Sequence, residues 1–68
     1  MPQFEIFGDF ITISQFLKVK DYVVSGGETR SFLMEHRVVL NGVVVTEKKK
    51  KIHPGDTLVI DQESFEFI

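Results

Sequence analysis

Cysteine is absent from the 68 residues of this sequence. Disulfides, thiolate nucleophiles, iron–sulfur clusters and cysteine-ligated zinc are therefore excluded, and nothing in the chain calls for an oxidising compartment. Long apolar runs are also missing, because no window approaches the ~18 apolar residues of a membrane helix, and the first ten residues lack a basic start followed by an apolar stretch. We expect a cytoplasmic protein without a membrane partner.

The signatures of catalysis and of metal binding are missing as well. No nucleophile with an adjacent base, phosphate-binding loop or pair of carboxylates can be assembled from the sequence motifs, so we expect neither enzyme activity nor a cofactor. The only imidazoles are His36 and His53. A zinc site would need both of them together with remote carboxylates, and turn chemistry explains the stretch HPGD at residues 53–56 better. We predict no metal site.

Positive charge is confined to the middle of the chain. The net charge is −2, but segment 18–51 contains all eight basic residues and four acidic ones, which gives it a charge of +4. A local positive field attracts a polyanion even when the net charge is negative. For the lysine run the alternative is a solvated loop, or a charged edge that prevents strand aggregation. The candidate contacts are Lys18, Lys20, Arg30, Arg37, Lys48, Lys49, Lys50 and Lys51.

The first helix is predicted over residues 13–20. Thr12 stands at the N-cap position. Ile13, Phe16 and Leu17 then follow at i, i+3 and i+4, which places three apolar side chains on one face.

The second helix is predicted to begin after Ser25 and to reach about Arg37. Ser25 and Glu28 have the S-x-x-E spacing of a capping box, in which each side chain satisfies a backbone N–H of the first turn. Arg30 and Arg37 lie seven residues apart, so both are predicted to project from one side of this helix. Its apolar face is predicted to contain Thr29, Phe32 and Leu33.

Short strands occupy the rest of the chain. The runs 38–40 and 43–45 are separated by Asn41-Gly42, the strongest short-range signal for a hairpin. Further strands are predicted at 4–7, 57–60 and 65–68, and the similarity of FEIF to FEFI indicates that the terminal strands share one sheet. We predict a single α+β domain over residues 1–68, with two helices packed on a small, mostly antiparallel sheet. Its core is predicted to contain Phe4, Phe7, Phe16, Phe32, Phe65 and Phe67.

The order of these motifs resembles the RNA-binding domain named after small-subunit ribosomal protein four, the S4 domain, and most closely its small stand-alone bacterial members. Leu17-Lys18, SGGE at 25–28, VVLNG at 38–42 and PGD at 54–56 carry the resemblance, which covers residues 12–60. Two positions depart from the family pattern. Gly26 stands where the family often has arginine, and His36 stands in place of a helix-closing glycine.

The resemblance implies a non-catalytic module that binds structured, typically ribosomal, RNA, in ribosome assembly or RNA quality control. Its basic face would consist of both helices and the loop after the hairpin, and would use the eight cations named above. Backbone N–H groups at a helix start bind anions, so the secondary RNA-binding candidates are Ser25, Gly26 and Gly27. We expect a monomer, with any protein partner inside a ribonucleoprotein.

Two functions from other classes stay open. One is a protein–protein adaptor that would use the acidic ends or the Phe-rich terminal strands. The other is a β-grasp, ubiquitin-like docking module. Sulfur carriers of that type react through a C-terminal Gly-Gly, and no glycine follows Gly55, so only a non-reactive docking version survives.

Overall fold

Two helices and seven short strands form within residues 2–68, the part of the chain that the structure, a computed structural model, describes. The helices are α1, Ile13–Val19, and α2, Gly26–Glu35. The strands are β1, Gln3–Phe4; β2, Ile11–Thr12; β3, Val38–Leu40; β4, Val43–Val44; β5, Lys51–Ile52; β6, Thr57–Ile60; and β7, Glu63–Phe67. Within residues 2–68 no helix is long and apolar enough to cross a membrane.

A five-stranded sheet in the order β1-β7-β6-β3-β4 forms the base of the fold. The pairs β7-β6, β6-β3 and β3-β4 are antiparallel, and β1 joins β7 in parallel with Phe4 opposite Phe67. A separate antiparallel pair joins β2 to β5. The predicted α+β architecture is confirmed, and the terminal strands share one sheet as expected; their parallel pairing was not predicted. Strand β7 begins at Glu63, earlier than predicted, because Asp61, with a φ of 55°, turns the chain directly after β6.

The hairpin between β3 and β4 forms at Asn41-Gly42 as predicted. Both residues have positive φ, 51° and 85°, which the tight hairpin turn requires. The Asn41 side chain also joins this hairpin to the next turn, because its Nδ2 donates to Asp56 Oδ1 at 3.0 Å and its Oδ1 accepts the Thr57 N–H at 2.9 Å. The strand β4 ends at Val44, one residue earlier than predicted.

Helix α1 is capped as the sequence indicates. The Thr12 side chain accepts from the backbone N–H of Gln15, and the Gln15 side chain accepts from that of Thr12, so a capping box forms at a helix where it was not predicted.

Helix α2 departs from prediction at both ends. Ser25 is its N-cap but makes no capping hydrogen bond, and Glu28 instead accepts the N–H of Val24 at 3.1 Å, so the predicted capping box is wrong. The backbone is already extended at His36, with a φ of −121°. Arg37 therefore lies beyond α2 and not on it, which corrects the prediction of two arginines on one helix side.

Phe16 lies at the centre of a core between α1 and the large sheet. Its ring makes edge contacts with Phe4, Phe65 and Phe67 at centroid distances of 5.0 to 5.2 Å. Phe32 packs partly buried against this core, so five of the six predicted core phenylalanines contribute to it. The prediction for Phe7 is wrong, because its side chain is 90% exposed. Strand β1 ends at Phe4, and the buried side chain that follows it belongs to Ile6.

Candidate nucleic-acid interface

The four consecutive lysines, Lys48–Lys51, are here called the lysine loop, and their backbone is held against the start of α1. Lys50 O accepts the Ile13 N–H at 2.9 Å, and Lys48 O accepts the Ser14 N–H at 3.0 Å. The first N–H groups of a helix lack partners within the helix, so these carbonyls satisfy them. All four lysine side chains are exposed. The loop is therefore fixed through its backbone while its ammonium groups stay in solvent.

A side-chain contact between the helices places the start of α2 next to this loop. Ser14 Oγ lies 3.1 Å from Thr29 Oγ1, and the Thr29 side chain is fully buried. The helices also approach closely at Gly26, where an added Cβ would lie 3.7 Å from Ser14 Oγ. Because Ser14 contacts α2 by its side chain and Lys48 by its backbone, one residue connects the two elements.

The start of α2 and the lysine loop together enclose an open groove of about 540 Å³, here called the basic groove. Its cations are Arg30, Lys48 and Lys49, and Glu47 is the one acidic side chain that lines it. Thr46, Gly26 and Gly27 complete the lining. Within residues 2–68 no lysine or arginine forms an ion pair, so a ligand would not have to displace a carboxylate from these cations.

The backbone at the start of α2 adds to the positive potential of the basic groove. The N-terminus of a helix carries partial positive charge on its free N–H groups, which bind anions. The Ser25 side chain does not cap them, and Gly26 and Gly27 have no side chain that would screen them. The arrangement suits a phosphate group between the glycines and the cations.

The other predicted cations lie outside the basic groove. Lys20 Nζ lies 5.6 Å from the centroid of the Phe65 ring, and Lys51 Nζ lies 4.7 Å from that of Phe10. Lys18 is exposed on α1 and lines a second, apolar groove, and Lys50 lines a pocket beside the hairpin. Arg37 follows the far end of α2, a helix of ten residues whose length separates it from Gly26 at the helix start by about 15 Å.

Arg37 instead belongs to a junction between the end of α2 and the turn after β6. Asp61 Oδ2 is 2.8 Å from His36 Nδ1, and Asp61 Oδ1 accepts the Arg37 N–H at 3.0 Å. The hydrogen bond with His36, followed by that with Arg37, holds the pKa of the Asp61 carboxyl below its usual value. His36 also stacks on Phe32 at a centroid distance of 4.2 Å. These contacts hold the C-terminal end of α2 in place.

The second histidine is explained by its turn. Asp56 Oδ2 accepts the His53 N–H at 2.8 Å across the turn of residues 53–56. Burial opposes ionisation of Asp56, but the hydrogen bonds from the His53 backbone and the Asn41 side chain outweigh it and lower the pKa of Asp56. In the described part of the chain no group of three or more His, Asp or Glu side chains could hold a metal ion.

Sequence reasoning missed three features of this surface. The pairing of β2 with β5, which anchors the lysine loop, was not predicted, nor was the position of Phe10 beside Lys51. The β-branched pair Ile11-Thr12, whose second residue is the N-cap of α1, is the only local signal for the pairing. Thr46 and Glu47 were not candidates either, although they directly precede the predicted lysines.

Comparison with known proteins identifies the family of this chain. Residues 4–68 match the S4 domain family. Over 53 residues the chain is 38% identical to a Bacillus subtilis (strain 168) protein named "Probable ribosome maturation protein RlbA", and the aligned part covers 78% of this chain and 75% of that protein. The family match includes the terminal strands, which lie outside the 12–60 stretch of the sequence resemblance. The chain therefore belongs to the S4 domain family of RNA-binding modules.

Proposed function

We propose that this protein binds folded ribosomal RNA through the basic groove, without catalysing a reaction, and that it acts in ribosome assembly. Membership of the S4 domain family supports RNA as the ligand. The printed name of the Bacillus subtilis relative, a ribosome maturation protein, supports the process. The observation that carries the proposal is the meeting of Arg30, Lys48 and Lys49 at the uncapped start of α2.

The chemistry of the basic groove favours phosphate over base recognition. A guanidinium group donates two parallel hydrogen bonds to a phosphate. A lysine ammonium group adds a point charge on a flexible side chain, which can follow small shifts of the phosphate. Free N–H groups of Gly26 and Gly27 complement the cations at the same point. Contacts of this kind position a protein on the RNA backbone and report the shape of a folded RNA more than its sequence.

The remaining cations have graded roles in the proposal. Lys50 follows Lys49 in the lysine loop and Lys18 is exposed on α1, so both would reach phosphates outside the basic groove. Contacts by Lys20, Arg37 and Lys51 stay predictions, at the periphery of the bound RNA. We propose that residues 1–68 act as one domain, monomeric and cytoplasmic, and that protein partners contact it only within the ribonucleoprotein.

The salt dependence of RNA binding tests the groove. The wild-type protein is titrated with a structured ribosomal RNA fragment, and with a DNA duplex as comparison, at several salt concentrations. Each lost phosphate contact lowers the slope of log K against log salt by roughly 0.7 to 0.9. The variant Lys48→Ala/Lys49→Ala should therefore lose about 1.5 of the slope. The variant Lys20→Ala/Arg37→Ala removes the same charge outside the groove and should lose less than half as much.

The possible outcomes distinguish an error in the proposed site from an error in the proposed function. Equal losses in the two double variants would mean that charge acts diffusely and that the basic groove is not the site. Absence of binding by the wild-type protein to any structured RNA at low salt would overturn the function itself, and the adaptor reading would replace it.

A further inference from the structure

A second groove, lined mostly by apolar side chains, lies on another flank of α1 and has a volume of about 630 Å³. We call it the Phe7 groove. Phe7 is 90% exposed there, and Phe10 is 40% exposed. Exposed aromatic rings that share one concave surface mark an interaction site more often than a chance feature. The basic groove does not use any of these side chains.

The chain builds the Phe7 groove with a turn and a strand pair. Gly8 has a φ of 93°, a conformation that suits glycine, and this turn brings Phe7 and Phe10 to the same groove. In the β2-β5 pair Lys51 lies opposite Thr12, and Phe10 is the diagonal neighbour of Lys51 on the same face. This register explains why Lys51 Nζ lies 4.7 Å from the centroid of the Phe10 ring.

Cations lie at two sides of this apolar surface. Lys51 is the last residue of the lysine loop, and Lys18 lines the groove from α1. An unpaired nucleotide combines a flat ring with an anionic phosphate, so it matches exposed aromatic rings flanked by ammonium groups. Glu5 also lines the groove. Its carboxylate repels a phosphate but accepts hydrogen bonds from the amino group of a base, which favours the base at Glu5 and the phosphates at the lysines.

Continuity with the lysine loop supports the same occupant. Lys48 and Lys49 line the basic groove, whereas Lys51, two residues after Lys49, lies over Phe10. An RNA strand that contacts the loop along its length therefore passes from one groove to the other.

We propose that the Phe7 groove holds an unpaired nucleobase of the bound RNA, stacked on Phe7, while Lys18 and Lys51 contact the adjoining phosphates. The proposal rests on the RNA-binding function above and adds to it a preference for RNA with a single-stranded segment next to the folded part. Stacking on an aromatic side chain tolerates any base, so the groove adds affinity without fixing the sequence.

The test compares two RNAs with one folded core. One RNA is fully paired at its end, and the other carries a short unpaired extension. Because Phe7 is almost fully exposed, its replacement should leave the fold intact, which thermal unfolding checks. Loss of one stacked base lowers affinity about fivefold or more, so Phe7→Ala should bind the extended RNA about fivefold less tightly than the wild type does. Its affinity for the paired RNA should not change.

Two further variants identify the interaction. Phe7→Leu keeps an apolar side chain but removes the ring, and should lose as much affinity as Phe7→Ala if stacking is responsible. Phe7→Trp keeps a ring in a chain that has no other tryptophan, so its fluorescence should be quenched by the extended RNA and not by the paired one.

Failure of this proposal is distinguishable from failure of the proposed function. If all Phe7 variants bind both RNAs like the wild type while Lys48→Ala/Lys49→Ala loses affinity, the inference is overturned, the function stands, and the groove is left to an apolar protein segment. Wild-type affinity of Phe7→Leu for the extended RNA would also overturn it. If the wild-type protein binds neither RNA, both proposals fail together.

Discussion

The hydroxyl contact between the two helices gives a stability prediction that the structure makes quantitative. Ser14 Oγ and Thr29 Oγ1 are 3.1 Å apart, and the Thr29 side chain is 0% exposed. Ser14→Ala would leave the Thr29 hydroxyl buried without this partner. A buried hydroxyl that loses its hydrogen bond costs about 1 to 3 kcal/mol. A chain of this length has a free energy of unfolding of roughly 3 to 10 kcal/mol, so the loss is large.

Removal of both hydroxyls should cost less than removal of one. Thr29→Val keeps the shape of the buried side chain, and the half-buried Ser14 hydroxyl can turn towards water, so this change should cost about 0.5 kcal/mol. The double variant Ser14→Ala/Thr29→Val leaves no unpaired hydroxyl and should resemble Thr29→Val alone. The expected coupling is therefore about 1 kcal/mol or more.

Urea unfolding followed by circular dichroism measures the four free energies of this cycle. The change in helix propensity at each position appears in both the single and the double variants, so it cancels in the coupling term. The melting temperature of Ser14→Ala should fall by about 5 °C or more, since 1 kcal/mol corresponds to about 4 to 8 °C in a domain of this size. Additive effects, within about 0.5 kcal/mol, would refute the reasoning. They would show that Thr29 has another partner.

Two further predictions concern the turns. The hydrogen bond with His36 lowers the pKa of Asp61. The Asp61 carboxylate therefore contributes stability that is fully present above the usual carboxyl pKa of 3.8 and is lost as the pH falls through the lower pKa of the folded state. In Asp61→Asn the midpoint of urea unfolding should depend less on pH in this acid range. A variant as acid-sensitive as the wild type would contradict it. Asn41→Ala should destabilise the fold by about 2 kcal/mol, because alanine is strained at a positive φ and the hydrogen bonds to Asp56 and Thr57 are lost. Asn41→Gly loses the same hydrogen bonds but accepts the positive φ, so it should cost about 1 kcal/mol in the same unfolding assay. Equal losses would contradict that division.

The elements that the sequence predicts well are those with short-range signals. A two-residue hairpin turn requires two consecutive positive φ values, which Asn-Gly accepts and few other dipeptides do. Asn41-Gly42 alone therefore predicts the hairpin. Thr12 and the apolar triplet after it define the start and the buried face of α1 within one turn of helix. The likeness of FEIF and FEFI predicted that the terminal strands share one sheet, but not that β1 pairs directly with β7 in parallel.

The features that were not predictable depend on contacts between distant residues. Strands β2 and β5 contain two residues each, too few for an alternating pattern, and β5 begins inside a run of lysines. Arg37 has the spacing of a helical residue relative to Arg30, but its N–H binds Asp61, 24 residues away, and the helix ends before it. Phe7 has the composition of a core residue, yet the next buried position after β1 is filled by Ile6.

In the candidate site, too, short-range features were predictable from the sequence and long-range contacts were not. Composition and charge predict which side chains are cationic, and the lysine loop stands out at once. The basic groove, however, exists because Ser14 joins the loop to α2, a contact between residues 14, 29 and 48 that no local pattern announces. The eight predicted cations are thereby divided among several surfaces.

The two carbonyl contacts from the lysine loop to α1 have a consequence for the rate at which the proposed complex with RNA would dissociate. A mobile loop must lose conformational entropy when it closes on a ligand, at about 1 to 2 kcal/mol for each backbone residue that becomes fixed. Here the helix start already holds the carbonyls of Lys48 and Lys50 before any ligand arrives. If RNA binds this loop as we propose, little backbone entropy is regained on dissociation, so the complex should be longer-lived than that of a flexible tail with the same four charges.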